Sequence, residues 1–126
     1  MIDKEEASRL TIEIAGTLVG LAGDFDPAWE RAWFRFESDG NNTSANTTIE
    51  KNGEAWLIPT TSSGGRVRSM SELAEQMREH LDFAGRKFRV ALVEVQPDLK
   101  FMIEYEFDDP NRWRMTKLGG ASGFPK

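Results

Sequence analysis

Carboxylates are the chemistry this chain holds in quantity: 21 Asp and Glu stand against 16 Lys and Arg, with one histidine and no cysteine. The most suggestive pair is Glu104 and Glu106, in the run FMIEYEFDD at residues 101–109. Two residues apart on a strand, they share a face with Cα atoms about 7 Å apart. Carboxylates so placed can divide acid and base roles or hold a divalent cation. No third ligand type accompanies them, and an exposed acidic strip accounts for the same residues. A second grouping is Ser62-Ser63-Gly64-Gly65-Arg66, ahead of a helix and followed by Arg68. Amides at a helix start beside arginine suit an anion. The Walker spacing and its Gly-Lys-Ser/Thr ending are missing, however, and Gly-Ser stretches are also plain connectors. His80 alone is too little for a histidine metal site or a Ser-His-Asp relay, and no G-x-S-x-G elbow occurs. These residues predict no catalytic centre, no cofactor and no metal site. A small-ligand protein or enzyme using the 62–68 loop, or Glu104 and Glu106, remains the alternative reading.

The elements that must position the acidic strip are legible from periodicity. Residues 87–107 predict a hairpin around Gln96-Pro97-Asp98. In its first strand Phe88, Val90 and Leu92 alternate with Arg89, Ala91, Val93 and Val95, apolar on both faces as a central strand requires. In its second, Leu99, Phe101, Ile103, Tyr105 and Phe107 share one face and are expected to anchor the core. Lys100, Met102, Glu104 and Glu106 share the other, and Asp108 and Asp109 prolong the acid beyond the strand.

Upstream, Asp3 with Glu6 reads as a capping box opening a helix. Its apolar stripe is Ala7, Leu10, Ile14, Leu18 and Leu21, and Gly20 and Gly23 are expected to end it. After a turn at 24–27, the run WERAWFRFE places Ala32, Phe34 and Phe36 on one strand face. Trp29, Arg31, Trp33, Arg35 and Glu37 fall on the other, either a contact surface or a second packing layer. Strands at 43–50 and 54–58, joined by Lys51-Asn52-Gly53, complete a three-stranded antiparallel meander. Residues 60–68 predict a flexible loop. A second helix then opens with a Ser69–Glu72 capping box, buries Met70, Leu73, Ala74, Met77, Leu81 and Ala84, and stops at Gly85. His80 falls at its surface or boundary. The expectation is one α+β domain over 1–115, with an antiparallel sheet of about five strands and two helices packed on one face (α-β-β-β-α-β-β). Within the tail, 111–115 is expected to dock as an edge segment and 116–126 to be a flexible C-terminal tail.

Composition bounds the partners. The chain has 126 residues, 39% hydrophobic and 29% charged, ordinary for a globular domain. A net charge of −5 opposes a large phosphate footprint, so no nucleic acid is expected, and it attracts basic partners. It also serves plain solubility. Neither an export signal nor an apolar run of about 20 residues is recognisable, so no membrane association and a cytoplasmic location are expected. The N-x-[ST] triplets at Asn41, Asn42 and Asn46 then read as turn residues. Monomer and homodimer both stay open.

The order helix, tryptophan-bearing meander, helix and hairpin resembles the YezG-like family of bacterial immunity proteins (antitoxins). The carriers are the strand around Trp29–Phe36 and, above all, FMIEYEFDD with a tryptophan shortly after. The resemblance implies a small cytoplasmic α+β protein without enzymatic activity that binds a cognate secreted toxin, often a nuclease. The C-terminal run DPNRWRMTKLGGASGFPK departs from the longer helical or aromatic close of that family. From charge and strand facing, the expected partner contacts are Trp33, Met102, Glu104, Glu106, Asp108, Asp109 and Trp113. Large apolar anchors beside acid fit tight recognition of a basic protein.

Overall fold

The structure is a computed structural model and describes residues 4–126, apart from the side chain of Phe83. Its elements are α1 (Lys4–Phe25), β1 (Arg31–Ser38), β2 (Thr43–Lys51), β3 (Glu54–Ile58), α2 (Arg66–His80), β4 (Asp82–Phe83), β5 (Arg86–Lys87), β6 (Val90–Val95) and β7 (Phe101–Glu106). The five long strands form one antiparallel sheet in the order β3-β2-β1-β6-β7, with both helices on one face. This is the predicted α+β architecture, with one addition: β4 and β5 make a separate two-stranded ladder between α2 and β6.

The helix-side core follows the two sequence periods. From α1, Leu10, Ile14 and Leu18 are fully buried; from α2, Met70, Ala74 and Met77. They close over Ala32, Phe34 and Phe36 of β1, Ile49 of β2, and Ala91, Val93 and Val95 of β6. In register Phe34 stands opposite Val93 and Phe36 opposite Ala91, so large and small side chains alternate across the ladder. Between β2 and β3, Asn52 (φ 54°) and Gly53 (φ 76°) supply the left-handed pair that a two-residue hairpin turn demands.

Element boundaries differ from expectation in instructive ways. Asp3 of the first capping box lies outside the described residues. Helix α1 runs through Gly20 and Gly23 to Phe25, because burial of Leu21 and Ala22 holds its last turns against the core. Helix α2 begins at Arg66, not Ser69. Gly65 takes φ 83° at the cap, the Ser69 amide already bonds Gly65 O at 3.0 Å, and the Ser69–Glu72 box does not form. Burial of Val67 draws that extra turn into the core. The loop before it is partly structured, with a single 3-10 turn over Thr60–Ser62. At the other end the helix stops at His80. Ala84 (φ 54°) and Gly85 (φ 83°) form the turn of the small β4–β5 ladder, so Ala84 is exposed instead of lining a helix face. Likewise Phe88 is buried but precedes β6.

The sheet's second face is covered as well. Trp33, Val90, Leu92, Trp113 and Met115 form a separate buried cluster with Phe124 packed against it. The segment after β7 returns across this face, hereafter the tail-side face. The 116–126 stretch, expected to be loose, therefore packs: the Trp113 amide donates to Lys126 O, the Trp33 and Phe124 rings meet edge-to-face at 5.5 Å, and Gly123 is buried next to Ala55.

Candidate functional site

The predicted partner contacts separate into three groups. Trp33 and Trp113 are only 3% and 8% exposed and belong to the tail-side cluster, so they are not surface anchors. The Trp33 indole N–H donates to Glu94 at 2.7 Å, which satisfies the one polar atom of a buried ring. Arg31 stacks at 4.9 Å over the same ring. Trp113 sits at φ 60°, a left-handed conformation rare outside glycine, with Arg112 over its ring at 4.8 Å. Both tryptophans support the face from beneath.

Glu106 is the second group. One of its carboxylate oxygens accepts the amides of Asp108 (3.0 Å) and Asp109 (3.2 Å), and the other accepts Arg112 Nη1 at 2.8 Å. These bonds, the Asp108 and Asp109 amides first, hold its pKa below the usual carboxylate range. It braces the turn leaving β7, so Glu104 and Glu106 are not an equivalent pair. Asp108 leans on Arg86 as an exposed ion pair, and Asp109 caps the next turn by accepting the Asn111 amide at 2.9 Å.

Met102 and Glu104 are the third group. Met102 is 53% exposed; Glu104 is exposed and its carboxylate makes no hydrogen bond or ion pair among the described residues. With Asp108 and Asp109, both exposed, they form an acidic strip with one apolar member along the outer strand of the sheet. On the opposite face of β7, Ile103, Tyr105 and Phe107 reach the core. Leu99 and Phe101 do not; they are 67% and 44% exposed, because β7 is an edge strand whose first half overhangs the helices.

Arg35 is the residue that periodicity did not single out. It is 5% exposed, and donates from Nε to Arg112 O at 2.9 Å and from Nη2 to Pro110 O at 2.6 Å. It thereby pins the returning chain to β1. Burial lowers its pKa, while the negative charge of Glu37 opposes that shift. Asn46 makes a matching tie from β2, donating to Met115 O at 3.1 Å. An arginine inside the Trp33 face was the available signal, since its donors must be satisfied if the face is covered.

The 62–68 grouping shapes a hollow of about 380 Å³ lined by Leu21, Asp24, Phe25, Ser62, Ser63, Gly64 and Arg66. Its cation is already paired: Arg66 binds Asp24, whose carboxylate faces the same hollow and repels an anion. Ser63 is buried and donates to Thr60 O at 2.7 Å. Among the described residues no group of three or more His, Cys, Asp or Glu is placed to hold a metal ion, and no helix is long and apolar enough to cross a membrane. No protein-family model matches the chain, and no curated protein matches it either.

Proposed function

We propose that this protein is an immunity protein. It binds a cognate bacterial toxin and neutralises it by steric and electrostatic occlusion of a basic cleft, as found in a nuclease. It acts in the cytoplasm, without catalysis. The observation that carries the reading is Glu104, an exposed carboxylate without a partner among the described residues, beside exposed Met102 on an outer strand. Asp108 and Asp109 prolong the charge, and the net charge of −5 favours encounter with a basic surface. The resemblance of residues 101–109 to the YezG-like immunity proteins supports the same class. The contact set is Met102, Glu104, Asp108 and Asp109, held in place by Glu106, Trp33 and Trp113.

The test is co-purification with the basic toxin domain encoded beside it, followed by binding at several salt concentrations. Expected is a complex whose association slows as salt rises, and whose affinity falls at least tenfold in Glu104→Lys/Asp109→Lys. Full protection by that double variant would sink the assignment of the site; absence of any complex would sink the function.

A further inference from the structure

The two outer strands of the sheet are β3 and β7. The β6–β7 register fixes which backbone groups of β7 are spoken for. Gln96 N–H bonds Lys100 O at 2.9 Å and stands opposite it in the continued ladder, while the Lys100 amide donates to Asp98; in that phase Met102, Glu104 and Glu106 turn their amides and carbonyls to β6. The amides and carbonyls of Phe101, Ile103 and Tyr105 therefore point outward from the edge. No hydrogen bond to them from elsewhere occurs among the described residues. No proline interrupts this six-residue edge.

The edge is also apolar on the helix side. A groove of about 460 Å³ opens between α1 and β7, lined by Ala7, Thr11, Ile12, Leu81, Ile103 and Tyr105 among others. A second, of about 320 Å³, continues it along Ile12, Ala15, Val19, Val95, Leu99 and Phe101. Ile12, at 59% exposed, stands with Leu99 and Phe101 at the rim. A bare, apolar edge strand is a template for strand addition.

From this edge we infer that two copies of the chain join through β7, antiparallel about a two-fold axis at Met102, into a continuous ten-stranded sheet. The charge pattern selects both the occupant and the register. About Met102, Lys100 of each copy faces Glu104 of the other. The charged groups of both side chains have little internal engagement: the Lys100 ammonium, just before β7, lies 3.7 Å from Asp98, and the Glu104 carboxylate has no partner among the described residues. On the helix side the same register sets Phe101 against Ile103 and Leu99 against Tyr105, carrying each Leu99 to the other copy's larger groove. Centring instead at Ile103 would set Glu104 against Met102 and spend Lys100 on Glu106, which Arg112 already holds. Edge pairing occupies the plane of the sheet and leaves Asp108 and Asp109, beyond the strand end, exposed. The dimer draws on Met102 and Glu104, which the toxin-binding reading also uses, so the two compete for β7, and the oligomeric state of the free chain tests the dimer apart from any toxin.

Sedimentation equilibrium of the full chain should give twice 14.2 kDa in the micromolar range. The chain has no cysteine, so Met102→Cys reports the register directly: at a non-hydrogen-bonded two-fold pair the Cα atoms lie about 4.5 Å apart, within disulfide reach. Mild oxidation should cross-link most of that variant, and leave Trp56→Cys, on the other outer strand, uncross-linked. Lys100→Glu should weaken the dimer at least tenfold, and Lys100→Glu/Glu104→Lys should restore it. Circular dichroism of each variant checks that the fold is kept. A chain that stays monomeric at millimolar concentration overturns the inference. So does a dimer in which Met102→Cys fails to cross-link or Lys100→Glu has no effect.

Discussion

The outer strands β3 and β7 end the same sheet but meet their surroundings differently. Against β3 the C-terminal segment brings Gly123 over Ala55, and Lys117 reaches the Trp56 ring at 5.6 Å. A Cβ on Gly123 would stand 3.1 Å from Ala55 and 3.3 Å from Lys117, and its φ of 89° is one that other residues rarely adopt, so close approach and backbone both call for glycine there. Among the described residues nothing comparable lies along β7, whose outward backbone groups meet no donor or acceptor there and whose first apolar side chains are exposed. The tail that leaves β7 turns to the sheet's face, held by Arg35 and Glu106, instead of doubling back along the edge. The chain itself thus packs side chains against β3, whereas the outward side of β7 is open among the described residues.

Breaking the shielded side should have the largest effect. Trp33→Ala removes a buried aromatic from beneath the tail and is expected to cost about 3–5 kcal/mol in urea unfolding. Deleting residues 117–126 takes away the Phe124 contact and the Trp113–Lys126 bond; a loss of about 2–3 kcal/mol is expected. Tryptophan fluorescence should shift to the red as the tail-side cluster meets water, which separates this loss from a general loosening of the helix-side core.

Acid should loosen the tail by a route specific to Glu106. Its folded pKa lies below its unfolded value, so the folded state binds fewer protons around that range. The resulting stabilisation is full above the unfolded carboxylate range, about 4.3, and is lost as pH falls through the folded value. In Glu106→Gln that part of the acid dependence should vanish, seen as a flatter stability profile below about pH 5. Unchanged acid dependence would mean the brace is not what holds the turn. The smallest effect is expected at the bare edge: Phe101→Lys, at a half-exposed ring, should alter monomer stability by no more than about 0.5 kcal/mol. A larger loss would show that β7 is part of the core after all.

These contrasts also mark how much was legible beforehand. Period-3.6 stripes identified both helices, period-2 alternation identified β1 and β7, a run apolar on both faces identified β6, and the Asn52-Gly53 turn between β-prone stretches identified β2 and β3. Glu104 and Met102 were legible as exposed by the same alternation. Trp33 and Trp113 were misplaced: alternation tells which residues share a face, but not whether a segment about 80 residues later covers it. The Ser69–Glu72 box failed for a related reason, since burial of Val67 outweighed a local capping preference.

From the residues alone, then, came the α+β class, the hairpin order, the helix-side core and the acid-rich face of β7, all set by short-range periodicity and composition. Tertiary structure alone decided that the tail folds back over Trp33, that Arg35 is buried to hold it, and that Glu106 is a brace while the Glu104 carboxylate has no partner among the described residues. It also decided that β7 is an outer strand with an open edge. Strand order and tail docking depend on contacts between residues far apart in sequence, and no local pattern encodes which partner a strand will have on its second side.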